Sequence, residues 1–167
     1  YGLSGSGKTT YIKYLTTQIK KRIIYVTPEL ANQLASPEFL KFLMSYPNSV
    51  LVIEDGENLL ASRKNSSNPV ITNLLNLSDG LLSDCLNIQI ICTFNMPLHH
   101  IDKAFLRKGR LIDLYYFDKL EGKKTQYLLK ELGHDVEVNT PLTLAEIFNF
   151  DNTEIIETEQ VKIGFKR

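Results

Sequence analysis

The chain has 167 residues, 43% of them hydrophobic and 23% charged, the mix of one ordinary globular domain with room for a small appendage. Nineteen basic residues balance nineteen acidic ones, so net charge offers no reason to expect nucleic acid or an anionic membrane as partner. No apolar run nears the roughly 20 residues that cross a bilayer, no signal peptide is visible, and Cys85 and Cys92 show no metal or redox spacing. The two cysteines read as a reduced, buried pair, which favours the cytoplasm or another reducing compartment.

In chain order, the first element is Gly2-Leu3-Ser4-Gly5-Ser6-Gly7-Lys8-Thr9-Thr10, which fits G-x-x-x-x-G-K-[ST], the phosphate-cradling P-loop. Gly2, Gly5 and Gly7 give the backbone conformations closed to other residues, so consecutive N–H groups can turn toward an anion. Ser4, Ser6 and Thr10 complete the loop. Lys8 would add a point charge on the β- and γ-phosphates, and the Thr9 hydroxyl would ligate Mg²⁺. A helix must start here, since its free N–H groups and positive dipole end finish the anion site. Tyr11, Ile12, Leu15 and Ile19 recur at helical spacing. A P-loop ordinarily follows a buried strand, yet only Tyr1 precedes the first glycine. The expectation is therefore a piece of a longer protein, with that central strand missing here.

Arg22 to Thr27 is β-branched and apolar and predicts a buried parallel strand. Thr27-Pro28-Glu29 and Ser36-Pro37-Glu38 both read as helix starts, with a capping hydroxyl, Pro at the first position and an acid in the first turn. The second helix runs from Pro37 to about Ser45, with Phe39, Leu40, Leu43 and Met44 on one face. Ser49 to Ile53 is the next strand and ends in Glu54-Asp55. Helical pattern resumes through Leu59 and Leu60, and Ser62 to Pro69 is the most loop-like stretch. A helix over Val70–Leu77, a turn at Asp79-Gly80 and a strand from Asn87 to Thr93 follow. Asp102 caps a short helix to Arg107, and Leu111–Phe117 predicts a fourth strand. Strand and helix alternate, which predicts a parallel α/β sheet with helices on both faces. Residues 1–117 form that core. Residues 118–150 form a small helical unit, with Leu120, Tyr127, Leu128 and Leu132 marking one helix, stopped by Gly133, and Thr143 capping another over Leu144–Phe148. Residues 151–167 carry no clear period.

Three further features sit at predicted C-terminal strand ends, where open α/β sheets hold ligands. Glu54 and Asp55 can hold a metal's water shell and orient an attacking water, with Glu57 as a competing acid. Asn95 is a neutral amide able to position water or meet the γ-phosphate. Arg107-Lys108-Gly109-Arg110 supplies guanidinium groups of the kind that stabilise a transferring phosphoryl group, from the same subunit or a neighbour. His99-His100 lies in a loop without acidic or Cys partners at ligand spacing.

The run Cys92-Thr93-Phe94-Asn95-Met96-Pro97, followed by Ile101-Asp102-Lys103-Ala104-Phe105-Leu106-Arg107-Lys108-Gly109-Arg110, resembles the second region of homology of AAA ATPases, T-N-x-P…L-D-P-A-L-x-R-x-G-R. Phe94 separates Thr93 from Asn95, and Lys103 stands where that family prefers Pro. The similarity spans Gly2 to about Phe150. It implies an AAA-type P-loop NTPase with a C-terminal helical lid, binding ATP and Mg²⁺ and hydrolysing ATP. It further implies Asn95 as sensor 1 and Arg107 and Arg110 as arginine fingers reaching a neighbour's ATP in a ring of identical subunits. The Glu54-Asp55 order inverts the usual Asp-Glu and is similar to the branch containing the mitochondrial Rieske-protein translocase, as is Asn73 to Gly80. In that register Glu54 is on the metal side and Asp55 activates water.

No glycine lies between Thr27 and Pro47, where threading AAA motors carry an aromatic-hydrophobic-Gly pore loop, so threading through a narrow pore is not expected. The leading expectation is hydrolysis coupled to remodelling or translocating a protein partner that the sequence does not identify. The alternatives are a nucleotide-gated assembly scaffold with little turnover, a small-molecule P-loop kinase, and a DNA-handling member of the wider superfamily.

Overall fold

The computed structural model describes residues 1–27, 30, 32–60 and 69–151, and these divide into two compact units at the Asp118–Lys119 boundary. The expected helix start at Pro28-Glu29, the polar stretch 62–68 and residues 152–167 lie outside the described residues.

The first unit is built on a parallel three-stranded sheet in the order β1 (Ile23–Val26), β2 (Val50–Ile53), β3 (Gln89–Cys92). Register pairs Ile23 with Val50 and Val50 with Gln89, so β2 is central and all four of its residues are buried. Alternation along β2 explains why helices cover both faces. Leu51 and Ile53 point into one cluster with Val26, Leu43, Leu74, Leu77 and Phe94, carried partly by α2 (Pro37–Met44) and α4 (Pro69–Asp79). Val50 and Val52 point the other way, onto Ile12 of α1 (Lys8–Gln18). Among the described residues, the unit also holds short helices α3 (Glu57–Leu60) and α5 (Leu81–Leu86) and two 3₁₀ turns.

The predicted α/β fold with a parallel sheet is therefore observed, and three local expectations are corrected. Residues 111–117 form no ladder: Phe117 makes an isolated parallel bridge to Gly2, with Phe117 N–H donating to Tyr1 O at 2.7 Å and Leu3 N–H to Phe117 O at 3.1 Å. A β-branched run becomes a strand only where a neighbour offers a matching row of amides, and beyond this bridge residues 111–117 find none among the described residues. After Asp102 the chain makes tight turns instead of a helix, because the Asp102 carboxylate accepts from Ala104 N–H at 2.9 Å in a local side-chain turn. Met44 is 57% exposed, so the inward face of α2 is buried Leu43 with the partly buried Phe39 and Leu40. Ser36 caps that helix as expected, accepting from Phe39 N–H at 3.1 Å.

The second unit holds α6 (Gly122–Glu131) and α7 (Leu144–Phe148), with an antiparallel bridge between Leu120 and Leu142. The buried face of α6 is Thr125 and Leu129, four residues apart; Tyr127 and Leu132, expected there, are exposed. Thr125 satisfies its buried hydroxyl by donating to the Leu120 carbonyl at 2.9 Å. Thr143 forms a full capping box with Glu146. The Glu146 carboxyl is held below its ordinary value, first by the Thr143 N–H that it accepts. No described helix is long and apolar enough to cross a membrane.

Candidate functional site

The glycine loop runs straight into α1. Gly7 caps that helix in the left-handed region at φ 95°, where a side chain would be strained, and Gly5 is also at positive φ. Gly2 is required by contact: a Cβ there would lie 2.0 Å from the Phe117 carbonyl oxygen. Gly2 N–H also donates to Phe94 O at 3.2 Å, so the loop's first residue bridges the end of β3 and Phe117. Ser6 is buried and donates to Leu3 O at 2.6 Å, which folds the loop back on itself. Lys8 is buried too, its ammonium on the carbonyls of Gly2 (3.1 Å) and Leu3 (2.6 Å). Burial lowers the Lys8 pKa, and the charges of Asp55 and Glu57 oppose that shift, which places both acids in the electrostatic field of the loop's cation. Ser4 and Thr10 are exposed.

The acid pair leaves the end of β2 in a strained turn. Asp55 has φ 50°, left-handed backbone that Asp tolerates better than most residues. Two bonds from the end of β3 hold it there: Asp55 N–H donates to Thr93 Oγ1 at 3.1 Å, and Gly56 N–H to Thr93 O at 2.9 Å. The turn sends the two carboxylates to different partners. Glu54 accepts from the Thr9 hydroxyl at 3.0 Å, and Asp55 accepts from the Asn95 amide at 3.0 Å. Glu57, at the start of α3, accepts the backbone N–H of Asn95. The structure thus brings Thr9 to Glu54 and Asn95 to Asp55, with Lys8 in electrostatic reach of Asp55. A hydroxyl and a carboxylate 3.0 Å apart are the hard oxygen donors that a largely hydrated Mg²⁺ prefers, so Thr9 and Glu54 fit a metal site beside a phosphate loop.

Thr93 is the residue that sequence reasoning undervalued. It is buried, and it fixes the Asp55 backbone. Its presence in the quoted motif was the only signal. Glu57 is likewise more than the start of a helix, since it clasps Asn95.

The two arginines separate. Arg110 turns inward, its Nε donating to Asp79 Oδ2 at 3.0 Å and its Nη1 to Ala104 O at 3.1 Å. Arg107 is exposed. Neither bonds to the phosphate edge among the described residues. His99 and His100 are exposed and pack ring to ring at 4.1 Å. Of the cysteines, Cys85 is exposed, which corrects the buried pair, and burial pushes the Cys92 thiol up to about 12.

Residues 1–119 match the family described as ATPase family associated with various cellular activities (AAA). The chain belongs to the AAA family. It is similar to AAA-ATPase At2g46620 of Arabidopsis thaliana, with 29% identity over 114 residues covering 66% of this chain and 22% of that protein. AAA-ATPase At3g50940 of the same plant is 30% identical over 122 residues, 66% of this chain and 27% of that protein. AAA-ATPase At5g57480 is 28% identical over 174 residues, 82% of this chain and 33% of that protein. The chain thus spans between 22% and 33% of the length of these relatives. As an AAA module it is an ATPase domain, and nucleotide binding and hydrolysis are its general chemistry.

Proposed function

We propose that this AAA domain binds Mg-ATP at the glycine loop, hydrolyses it at the Glu54-Asp55 edge, and completes its active site across a subunit boundary in a ring. The observation that carries the reading is the pair of bonds Thr9–Glu54 and Asn95–Asp55, which tie the loop to the acid pair and the acid pair to the next strand end. Gly2, Ser4, Gly5, Ser6, Gly7 and Thr10 supply the loop that wraps the phosphates, and Lys8 pairs with them. Thr9 and Glu54 would hold Mg²⁺, which supplies neutralisation of phosphate charge. Asp55 accepts the proton of the attacking water, and Asn95 orients that water through the amide it shares with Asp55. Arg107, exposed on its turn, is directed at a neighbour's ATP.

The ring would couple hydrolysis to remodelling or translocating a protein. The inverted Glu-Asp order supports a place near the Rieske-protein translocase branch, and residues 118–150 would serve as the lid. Asp55→Asn tests the reading against a nucleotide-gated scaffold. For the enzyme, the variant keeps ATP binding and loses hydrolysis by about 10²–10⁴-fold, the usual contribution of a general base. An unchanged rate and assembly state would instead leave a scaffold. Phosphate release without any added acceptor excludes the kinase alternative.

A further inference from the structure

The turn that carries Arg107 is clamped by the other arginine of the same motif. The Arg110 guanidinium donates on one edge to Asp79, the last residue of α4, and on another to the Ala104 carbonyl at the opening of the turn. The last carbonyls of α4 carry partial negative charge and favour a cation there. The turn is also closed from within. Ala104 N–H donates to Asp102 Oδ1 at 2.9 Å, and the N–H groups of Arg110 and Leu111 both donate to the Arg107 carbonyl, at 3.1 and 3.2 Å. The Arg110 side chain is 21% exposed, whereas Arg107 lies on the surface with no side-chain partner among the described residues. A planar fork committed on two edges to its own subunit is poorly placed to grip a phosphate bound elsewhere.

We infer that Arg110 is a positioning residue, paired with Asp79 to fix where Arg107 projects, and that Arg107 alone reaches the neighbour's ATP. This rests on the reading of Arg107 as a finger acting across the subunit boundary. It divides between two residues a task that the family resemblance assigned to both. It also ties finger position to the end of α4, so a shift of that helix end moves Arg107 with it. The pair is half-exposed on the Asp79 side, and surface pairs of this kind contribute little to stability, so variants at Asp79 retain the fold.

Steady-state ATPase rates of the assembled protein test the division, using Arg107→Ala, Asp79→Ala, Asp79→Glu, Arg110→Ala and the double variant Asp79→Ala with Arg110→Ala. Arg107→Ala should lower kcat by about 10³-fold or more, the scale of a lost arginine finger. Asp79→Ala and Arg110→Ala should each lower kcat by about tenfold to 10²-fold, the loss expected of a misplacement near 1 Å. KM for ATP should not move, the double variant should be no slower than the worse single one, and Asp79→Glu should retain most of the rate. A wild-type rate in Asp79→Ala, with Arg110→Ala as slow as Arg107→Ala, would overturn the inference and make Arg110 a second finger. Additive losses in the double variant would overturn it as well. Full activity in Arg107→Ala would remove the cross-boundary reading itself, and the role of the clamp with it.

Discussion

At the phosphate edge, four side chains that hang from a strand end or a helix start meet in pairs: Thr9 meets Glu54, and Asp55 meets Asn95. The arginine turn at 103–110 carries no strand pairing among the described residues, and the exposed Arg107 is held there through its backbone carbonyl while its side chain has no partner among them. Groups that must meet within one chain can be locked together by local hydrogen bonds, while a group meant for use outside the chain has to be left presentable. The first region therefore depends on the register of β2 and β3, and the second on one guanidinium clamp. The two regions should fail in different ways.

The largest effect expected on nucleotide affinity at the phosphate edge is that of Lys8→Ala. Hydrogen bonds to charged groups contribute about 1.5–3 kcal/mol, so ATP affinity should fall by roughly tenfold to 10²-fold, measured by titration with a fluorescent ATP analogue. Retained affinity would mean that the loop is not the anchor. Glu54→Gln comes next. It should raise the Mg²⁺ concentration for half-maximal rate by about tenfold, as loss of a metal-shell carboxylate commonly does. No shift in that profile would move the metal to Asp55. Thr93→Val removes the hydroxyl that accepts Asp55 N–H and leaves that amide unpaired, at a cost of about 1–3 kcal/mol in chemical denaturation. If Thr93 acts as a brace, kcat falls with it while ATP affinity holds.

The smallest effect lies in the second unit. Thr143→Ala removes the cap of α7 and should cost about 1 kcal/mol, with the Mg²⁺ profile unchanged. The cap also has a predictable pH dependence. The Glu146 carboxyl is held below its ordinary value of 4.5, so the unfolded chain takes up its proton first as pH falls. The contribution of the capping box is fully present above about pH 4.5 and fades as pH falls through the lowered value. A Thr143→Ala stability loss as large at acid pH as at neutral pH would break that link.

Much of this was legible because the signals were local. The three β-branched runs at 23–26, 50–53 and 89–92 announced the sheet, each trimmed by one to three residues where the ladder ends. The hydroxyl-Pro-acid run at Ser36 and the Thr143 hydroxyl ahead of Leu144–Phe148 announced two caps that the structure contains. What sequence missed depended on partners far along the chain. Leu111–Phe117 has strand chemistry but gains only the bridge at Phe117, because β-propensity does not supply a neighbour. Leu81–Leu86 was invisible as a helix: six residues after the Asp79-Gly80 turn are too few to show a period. On α1, Tyr11 shares the helical spacing of Ile12 yet is 49% exposed and stacks on Tyr115, so periodicity overstated the buried face. The left-handed backbone of Asp55 and its tether to Thr93 arise only once β2 and β3 are paired.

The central claim is that catalysis is completed by a neighbour's Arg107, and ATPase rate across a dilution series of the assembled protein tests it most directly. The account predicts a total rate that rises more than linearly with protein concentration, and an Arg107→Ala variant that stays slow at every concentration. Strict proportionality between rate and concentration down to dilute monomer would contradict it.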